Sequence, residues 1–244
     1  MVALLAVIGL IMGHFLGISL DRFYSDQRLS KPLLRCTRCS ARLSGAYLLP
    51  VLGYVWLRGR CQICGAGLPF RALLLPFGGA ASFALAYLAL DEVGAALLGG
   101  FFCTLYLALV FTDLERRLIP NRIVYPGIFL AIIFAWGWPD RGVASIFAGG
   151  AVSFAVSFVI YLIARGGFGM GDVKMLTLMG FSSGFPYFFP GLIIASFAAG
   201  LLAAILLLLK LTRRGSYIPY GPFIALGAVI STLWGPAICD WYRG

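Results

Sequence analysis

Two aspartates and four cysteines carry the chemistry this sequence can offer. Asp113 closes the apolar run Leu109-Val110-Phe111-Thr112-Asp113, and Asp172 stands in Gly169-Met170-Gly171-Asp172-Val173-Lys174. A carboxylate at membrane depth costs about 2.5–3.5 kcal/mol on insertion scales and is kept mainly where it works. Two facing aspartates within hydrogen-bond reach cannot both ionise. One keeps a proton and polarises a scissile carbonyl, while the other takes a proton from the attacking water. That is the chemistry of an aspartic protease. Gly169 and Gly171 let a substrate backbone approach without Cβ clashes and loosen the helix start so that water can enter. Lys174 reads either as an interfacial cation on a snorkelling stem or as a local positive charge that keeps one carboxylate ionised. The glycine-aspartate run alone would equally suit a helix N-terminus with an acid at its positive end. Asp113, ending a second helix on the same side, favours the paired reading.

The cysteines stand as Cys36-Thr37-Arg38-Cys39 and Cys61-Gln62-Ile63-Cys64, four of the six in the chain. Two CxxC pairs at this separation predict a tetrahedral zinc site. Cys39-Ser40-Ala41-Arg42-Leu43 echoes Cys64-Gly65-Ala66-Gly67-Leu68, as the two knuckles of a zinc ribbon would, and Gly65 suits the tight turn that aims backbone amides at thiolate sulfur. Four thiolates leave no open coordination position, so the metal is structural and folds a loop too small to hold a core of its own. A disulfide or redox role fits a reducing compartment less well. Cys103 and Cys239, each alone, read as small apolar residues.

The elements that position these groups follow from composition. Of 244 residues, 61% are hydrophobic and 11% charged, and the mean hydropathy is +0.96. Soluble globular chains carry about 25% charged residues. A soluble domain is excluded, and so is disorder, since 20 Phe, 11 Tyr and 5 Trp cannot stay solvated. The expected fold is an all-α polytopic membrane protein of about eight spans, near 2–20, 72–90, 94–112, 123–138, 143–164, 172–186, 188–210 and 221–238. Residues 1–20 form an uncleaved first span, residues 21–71 a small basic module with the CxxC pairs, and residues 72–244 a seven-span membrane domain. Assigning loops to alternate sides leaves Arg141 and Arg243 as the only two of the 19 Lys and Arg residues on one side. The other side is therefore cytoplasmic, both termini face out, and Asp113 and Asp172 share the cytoplasmic edge. The net charge of +10 reads as topology, not nucleic-acid affinity. The basic module reads as a topology determinant beside anionic lipid or as a dock for an acidic partner. His14, the sole histidine, reads as a packing residue hydrogen-bonded to a neighbour.

Taken together, these residues resemble the bacterial type IV prepilin peptidases, membrane aspartic peptidases of the GxGD type. The resemblance rests on the CxxC module after the first span, the run Pro50-Val51-Leu52 to Leu57-Arg58-Gly59-Arg60-Cys61, Asp113-Leu114-Glu115 with Ile119-Pro120-Asn121, the glycine-aspartate run, and Ile218-Pro219-Tyr220-Gly221-Pro222-Phe223. It implies catalytic Asp113 and Asp172 at the cytoplasmic face of the bacterial inner membrane. The implied substrates are prepilin or pseudopilin precursors of type IV pilus and type II secretion systems, cleaved after a short basic leader. In some members it also implies N-methylation of the new N-terminus with S-adenosylmethionine. Departures fall in the N-terminal third. His14 and Gly17 stand where the family usually shows Ser and Asn, Tyr47 and Leu48 replace a polar pair, and Pro76 lies near an expected acid. A sulfonium cofactor needs polar partners, so these departures predict weak or absent methyl transfer. A proton-coupled transporter is a rival reading, but transporters place such acids near the bilayer midplane in broken helices. A non-catalytic assembly subunit is another, which a peptide-cleavage assay separates.

Overall fold

A computed structural model describes residues 1–24, 36, 38–39, 41, 45–164, 168–211 and 219–244, without the side chains of 22–24 and 46. Arg28, Lys31, Arg35 and Arg42 of the basic module, Arg165, and Arg213 and Arg214 lie outside the described residues, as does Ile218. The helices are α1 (Val2–Tyr24), α2 (Leu52–Trp56), α3 (Arg71–Leu90), α4 (Val93–Arg116), α5 (Asn121–Ile133), α6 (Val143–Ile163), α7 (Met170–Ser183), α8 (Phe188–Leu208) and α9 (Gly221–Arg243), with 3₁₀ turns at Gly45–Leu48 and Ala135–Gly137. Each expected span corresponds to one helix, and α2 belongs to the module. Among the described residues, six helices (α1, α3, α4, α6, α8 and α9) are long and apolar enough to cross a membrane. The other two, α5 and α7, have 13 and 14 residues. The brevity of α7 has a physical reason: nearly every residue from Val173 to Ser183 is buried by neighbouring helices, so protein rather than lipid surrounds it.

Lipid tails are as apolar as leucine, so helix pairs in a membrane associate by close packing at small residues. That is how this bundle is joined. Gly9 and Gly13 of α1 lie against the backbone of α3 at Gly79 and Leu75, Gly149 of α6 meets Gly180 of α7, and Gly191 of α8 meets Gly227 of α9. In each case an added Cβ would collide with the carbonyl opposite. Two layers result, α1–α3–α4 and α6–α7 with α8–α9, and α9 lies against both α4 and α7. The core runs through Tyr106, Leu109, Val124, Met175, Leu178, Phe188 and Ile224. Outward-facing Ile193, Phe197, Leu208 and Ile163 are exposed, as a lipid-facing surface requires.

Helix ends determine the site. The α4 helix stops where Arg117 turns left-handed at φ 54° and its N–H returns to the Asp113 carbonyl. Three residues later Pro120 caps α5. The α7 and α9 helices begin at the same end of the bundle, at Met170 and Gly221.

Candidate active site

Asp113 and Asp172 are 2% and 7% exposed. Their backbones come from opposite kinds of helix end, the last turn of α4 and the first turn of α7, but both carboxylates meet helix N-termini. Asp113 Oδ2 accepts a 2.9 Å hydrogen bond from the N–H of Gly221, the first residue of α9. Asp172 Oδ2 accepts a 3.0 Å hydrogen bond from the N–H of Gly169, the residue capping its own helix. The first N–H groups of a helix have no partner within it, and the dipole there favours an anion. A hydrogen bond to a charged acceptor contributes about 1.5–3 kcal/mol, enough to offset much of the cost of holding a carboxylate in the bundle. The two groups are near enough that the charge of Asp113 acts on Asp172. Tyr220, just before α9, stacks edge-on to Phe168 at 5.6 Å and feels the charge of Asp172. Burial and that charge push its phenol above its usual range.

Three glycines fit closely around this pair. A Cβ on Gly221 would lie 2.6 Å from Asp113 Oδ2, one on Gly169 3.1 Å from Asp172 Oδ2, and one on Gly171 3.1 Å from the Cβ of Ile119. Lys174 turns elsewhere: its Nζ donates a 2.8 Å hydrogen bond to Asn121 Oδ1 and lies 5.4 Å from the Tyr125 ring, tying α7 to the start of α5. A cleft of about 430 Å³ opens beside Thr112, walled by Leu20, Leu118, Ile119 and Pro120 with Arg116 and Asn121 at its polar side. A larger one, about 720 Å³, lies at the other end of α8 and α9 among Pro190, Ile193 and Trp241, about 30 Å along α9 from Gly221 at 1.5 Å per residue.

Three groups escaped the sequence reading. Gly221 was visible only as one residue of the run Ile218 to Phe223 that carries the resemblance, since a backbone donor has no side-chain signature. Asp21 and Glu115 were not counted among acids at membrane depth, yet both pair with buried Arg71 and join α1, α3 and α4 at the end that carries Asp113.

In the module, the Sγ atoms of Cys36, Cys39, Cys61 and Cys64 all lie within 4.8 Å of one another. Cys36–Cys64 and Cys39–Cys61 are each 3.8 Å apart, too far for a disulfide. A tetrahedron with metal–sulfur bonds of about 2.3 Å has edges of about 3.8 Å, so these cysteines could hold a metal ion. The knuckle echo in the sequence is also an echo in hydrogen bonding: Cys36 N–H donates to Ala41 O at 2.9 Å and Cys61 N–H to Ala66 O at 2.8 Å. Gly65 takes the positive φ of 67° that its turn requires. The backbone N–H groups of Cys64 and Ile63 pull the Cys61 thiol down to about 6, while, against the pull of the Ala41 N–H, burial and the neighbouring sulfurs push the Cys39 thiol up to about 11. Buried Tyr47 anchors the module to the bundle; its carbonyl accepts from His14 Nε2–H at 2.9 Å. Gly17 faces Leu75, Leu48 is exposed, and Pro76 is buried inside α3.

Residues 100–207 match the Type IV leader peptidase family, and residues 7–90 match the Bacterial Peptidase A24 N-terminal domain. A prepilin leader peptidase/N-methyltransferase of Bacillus subtilis (strain 168) is 30% identical over 99% of this chain and 98% of its own. Proteins of the same name from Pseudomonas putida and Dichelobacter nodosus are 29% identical over 97% of this chain and 92% of their own, and 30% identical over 85% and 73%. No solved structure matches the chain. Similarity at this identity along nearly the whole length, joined to an all-helical membrane bundle and a four-cysteine module, means that this chain belongs to the type IV prepilin leader peptidase family.

Proposed function

We propose that the protein is an aspartic endopeptidase that removes leader peptides from type IV prepilin-like precursors, with Asp113 and Asp172 as its catalytic pair. The observation that carries this reading is that each buried carboxylate has one oxygen held by a backbone N–H at a helix N-terminus, so that each Oδ1 is left for the reaction. The ionised member takes a proton from water as that water adds to the scissile carbonyl. The protonated member donates to the carbonyl oxygen, giving a neutral tetrahedral diol. Proton return to the leaving nitrogen then breaks the C–N bond, releasing the leader with a new carboxylate and the pilin with a free amine. Gly169 and Gly171 keep the approach to Asp172 open, Lys174 holds α7 to α5 through Asn121, and the cleft beside Thr112 receives substrate chain.

This is an inner-membrane protein. We assign both termini to the outer side and the aspartates to the cytoplasmic face, on the basis of the basic-residue asymmetry. The metal proposed for the four cysteines is zinc, with a purely structural role. Methyl transfer is proposed to be weak or absent, since Gly17, Leu48 and Pro76 bring no polar side chain and Tyr47, whose backbone carbonyl is taken by His14, stands in place of one member of a polar pair. The test is incubation of the purified protein in detergent with a prepilin-like precursor. The expected products are the mature chain and the intact leader, and an uncleaved precursor would overturn the reading.

A further inference from the structure

A buried polar cluster sits at the other end of α7 from Asp172. Arg141, in the turn before α6, has a side chain with no exposure. Its Nη1 donates to the carbonyls of Ser182 and Ser183 at 3.1 Å each, and its Nη2 to the Thr232 carbonyl at 2.7 Å. Its Nε reaches Asp140 at 3.2 Å, and its guanidinium lies 4.1 Å from the Trp138 ring centroid. Tyr106 OH and Ser182 Oγ share a 2.7 Å hydrogen bond, and Thr232 Oγ1 lies 3.3 Å from the hydroxyls of both Ser182 and Ser183. The helices joined here are α4, α7 and α9, the three that carry Asp113, Asp172 and Gly221.

We infer that Arg141, with Tyr106, Ser182 and Thr232, is a positioning device for the aspartate pair, fixing the axial register of α4, α7 and α9. This rests on the proposed catalytic role of the aspartates. The physical case begins with cost. A buried charge is expensive to desolvate even when paired, and interhelical hydrogen bonds in membranes average only about 0.6 kcal/mol, so the cluster is a poor way to gain stability alone. Register is another matter. Directional hydrogen bonds resist an axial shift over and above what close packing does, and a slip of one residue is 1.5 Å. A fork of fixed geometry bonded to the last carbonyls of α7 and to a mid-helix carbonyl of α9 permits one register only. The same slip at the far ends would carry Asp172 past Asp113 and draw the Gly221 N–H from its carboxylate.

The experiment measures kcat, KM and the pH dependence of cleavage for Arg141→Gln, Arg141→Lys, Tyr106→Phe and Thr232→Val, normalised to folded protein, with Asp113→Asn and Asp172→Asn alongside. Displaced carboxylates interact differently, so the apparent pKa values of the pair move. A mere loss of folded molecules does not move them. Among the described residues, the groups facing the pair are Arg117 at Asp113 and Tyr220 at Asp172, and none of these variants alters either. The expected result for Arg141→Gln is a kcat about tenfold lower at little-changed KM, with limbs of the pH profile shifted by about half a unit and partial recovery in Arg141→Lys. Tyr106→Phe and Thr232→Val shift the same way by less, and they carry the test if Arg141→Gln fails to fold. Wild-type kcat and pH profile in the folded variants, with both Asn variants inactive, would overturn this inference alone. Active Asn variants would instead overturn the catalytic reading.

Discussion

At the scale of single residues, the site is built from what is absent as much as from what is present. Gly221 donates its N–H to Asp113 because nothing stands between the start of α9 and the carboxylate, and a Cβ there would lie 2.6 Å from Oδ2. Gly221→Ala is therefore expected to fold while pushing the carboxylate aside, lowering kcat by about 100-fold, the usual cost of a 1 Å misplacement. Cleavage kinetics on the purified variant check it, and a rate within a few-fold of wild type would show that the contact is not needed. Lys174 was open to two readings in the sequence, and its contacts explain why: a long cation can reach several neighbours, and only the start of α5 determines that it meets Asn121 and Tyr125. Lys174→Met should lower stability by about 1 kcal/mol and cleavage only modestly, as thermal unfolding and activity assays together would show. The aspartates stood out in the sequence because a carboxylate beside an apolar run is costly to keep, and both are buried at helix ends, Asp172 also filling the plain role of an acid at a helix N-terminus. The Gly221 donor did not stand out, because a backbone N–H leaves no mark on residue type.

Among the elements, the long helices were readable from apolar runs, and their boundaries mostly follow turn chemistry: Pro120 before α5, Pro222 inside the first turn of α9, and a left-handed Arg117 after α4. The α7 helix was read as a short span, and the reason for its length lies outside its own sequence, in the helices that enclose it. The cysteine module was legible in more detail, because ligand spacing and the repeat of a Cys N–H to Ala carbonyl bond are local. In the proposed zinc site the thiolates would supply the folding energy of so small a unit, since apparent zinc binding is worth about 10–16 kcal/mol in comparable peptides. Each of Cys36→Ser, Cys39→Ser, Cys61→Ser and Cys64→Ser should lose the metal and make the module protease-sensitive while the membrane helices stay folded. Metal analysis and limited proteolysis report this, and a metal-free wild-type protein with a protease-resistant module would contradict it.

For the molecule as a whole, the fold brings a helix C-terminus and two helix N-termini together at one end of the bundle, where the reaction is proposed to occur, and a buried polar cluster joins the same helices at the far end. None of that convergence was visible in the linear chain beyond the expectation that both aspartates share a membrane edge, because it depends on which helices pack together rather than on where each begins. The N-terminal region shows the same limit. Asp21 and Glu115 form an ionic link between helices through buried Arg71, although the basic residues of 21–71 had read together as a topology determinant. Mature pilin-like product incubated with S-adenosylmethionine and this protein should gain little or no methyl group at its N-terminal amine by mass spectrometry, and full methylation would return a cofactor site to this region. The central claim is that Asp113 and Asp172 act as one unit sharing a proton. Single-turnover cleavage of a prepilin-like precursor by Asp113→Asn, Asp172→Asn and the double variant tests it most directly. Residues that act as a unit are strongly non-additive, so each single variant should lose at least about a thousandfold in rate and the double variant hardly more. A single variant retaining cleavage within about tenfold of wild type, or losses that multiply in the double variant, would contradict the shared-proton pair.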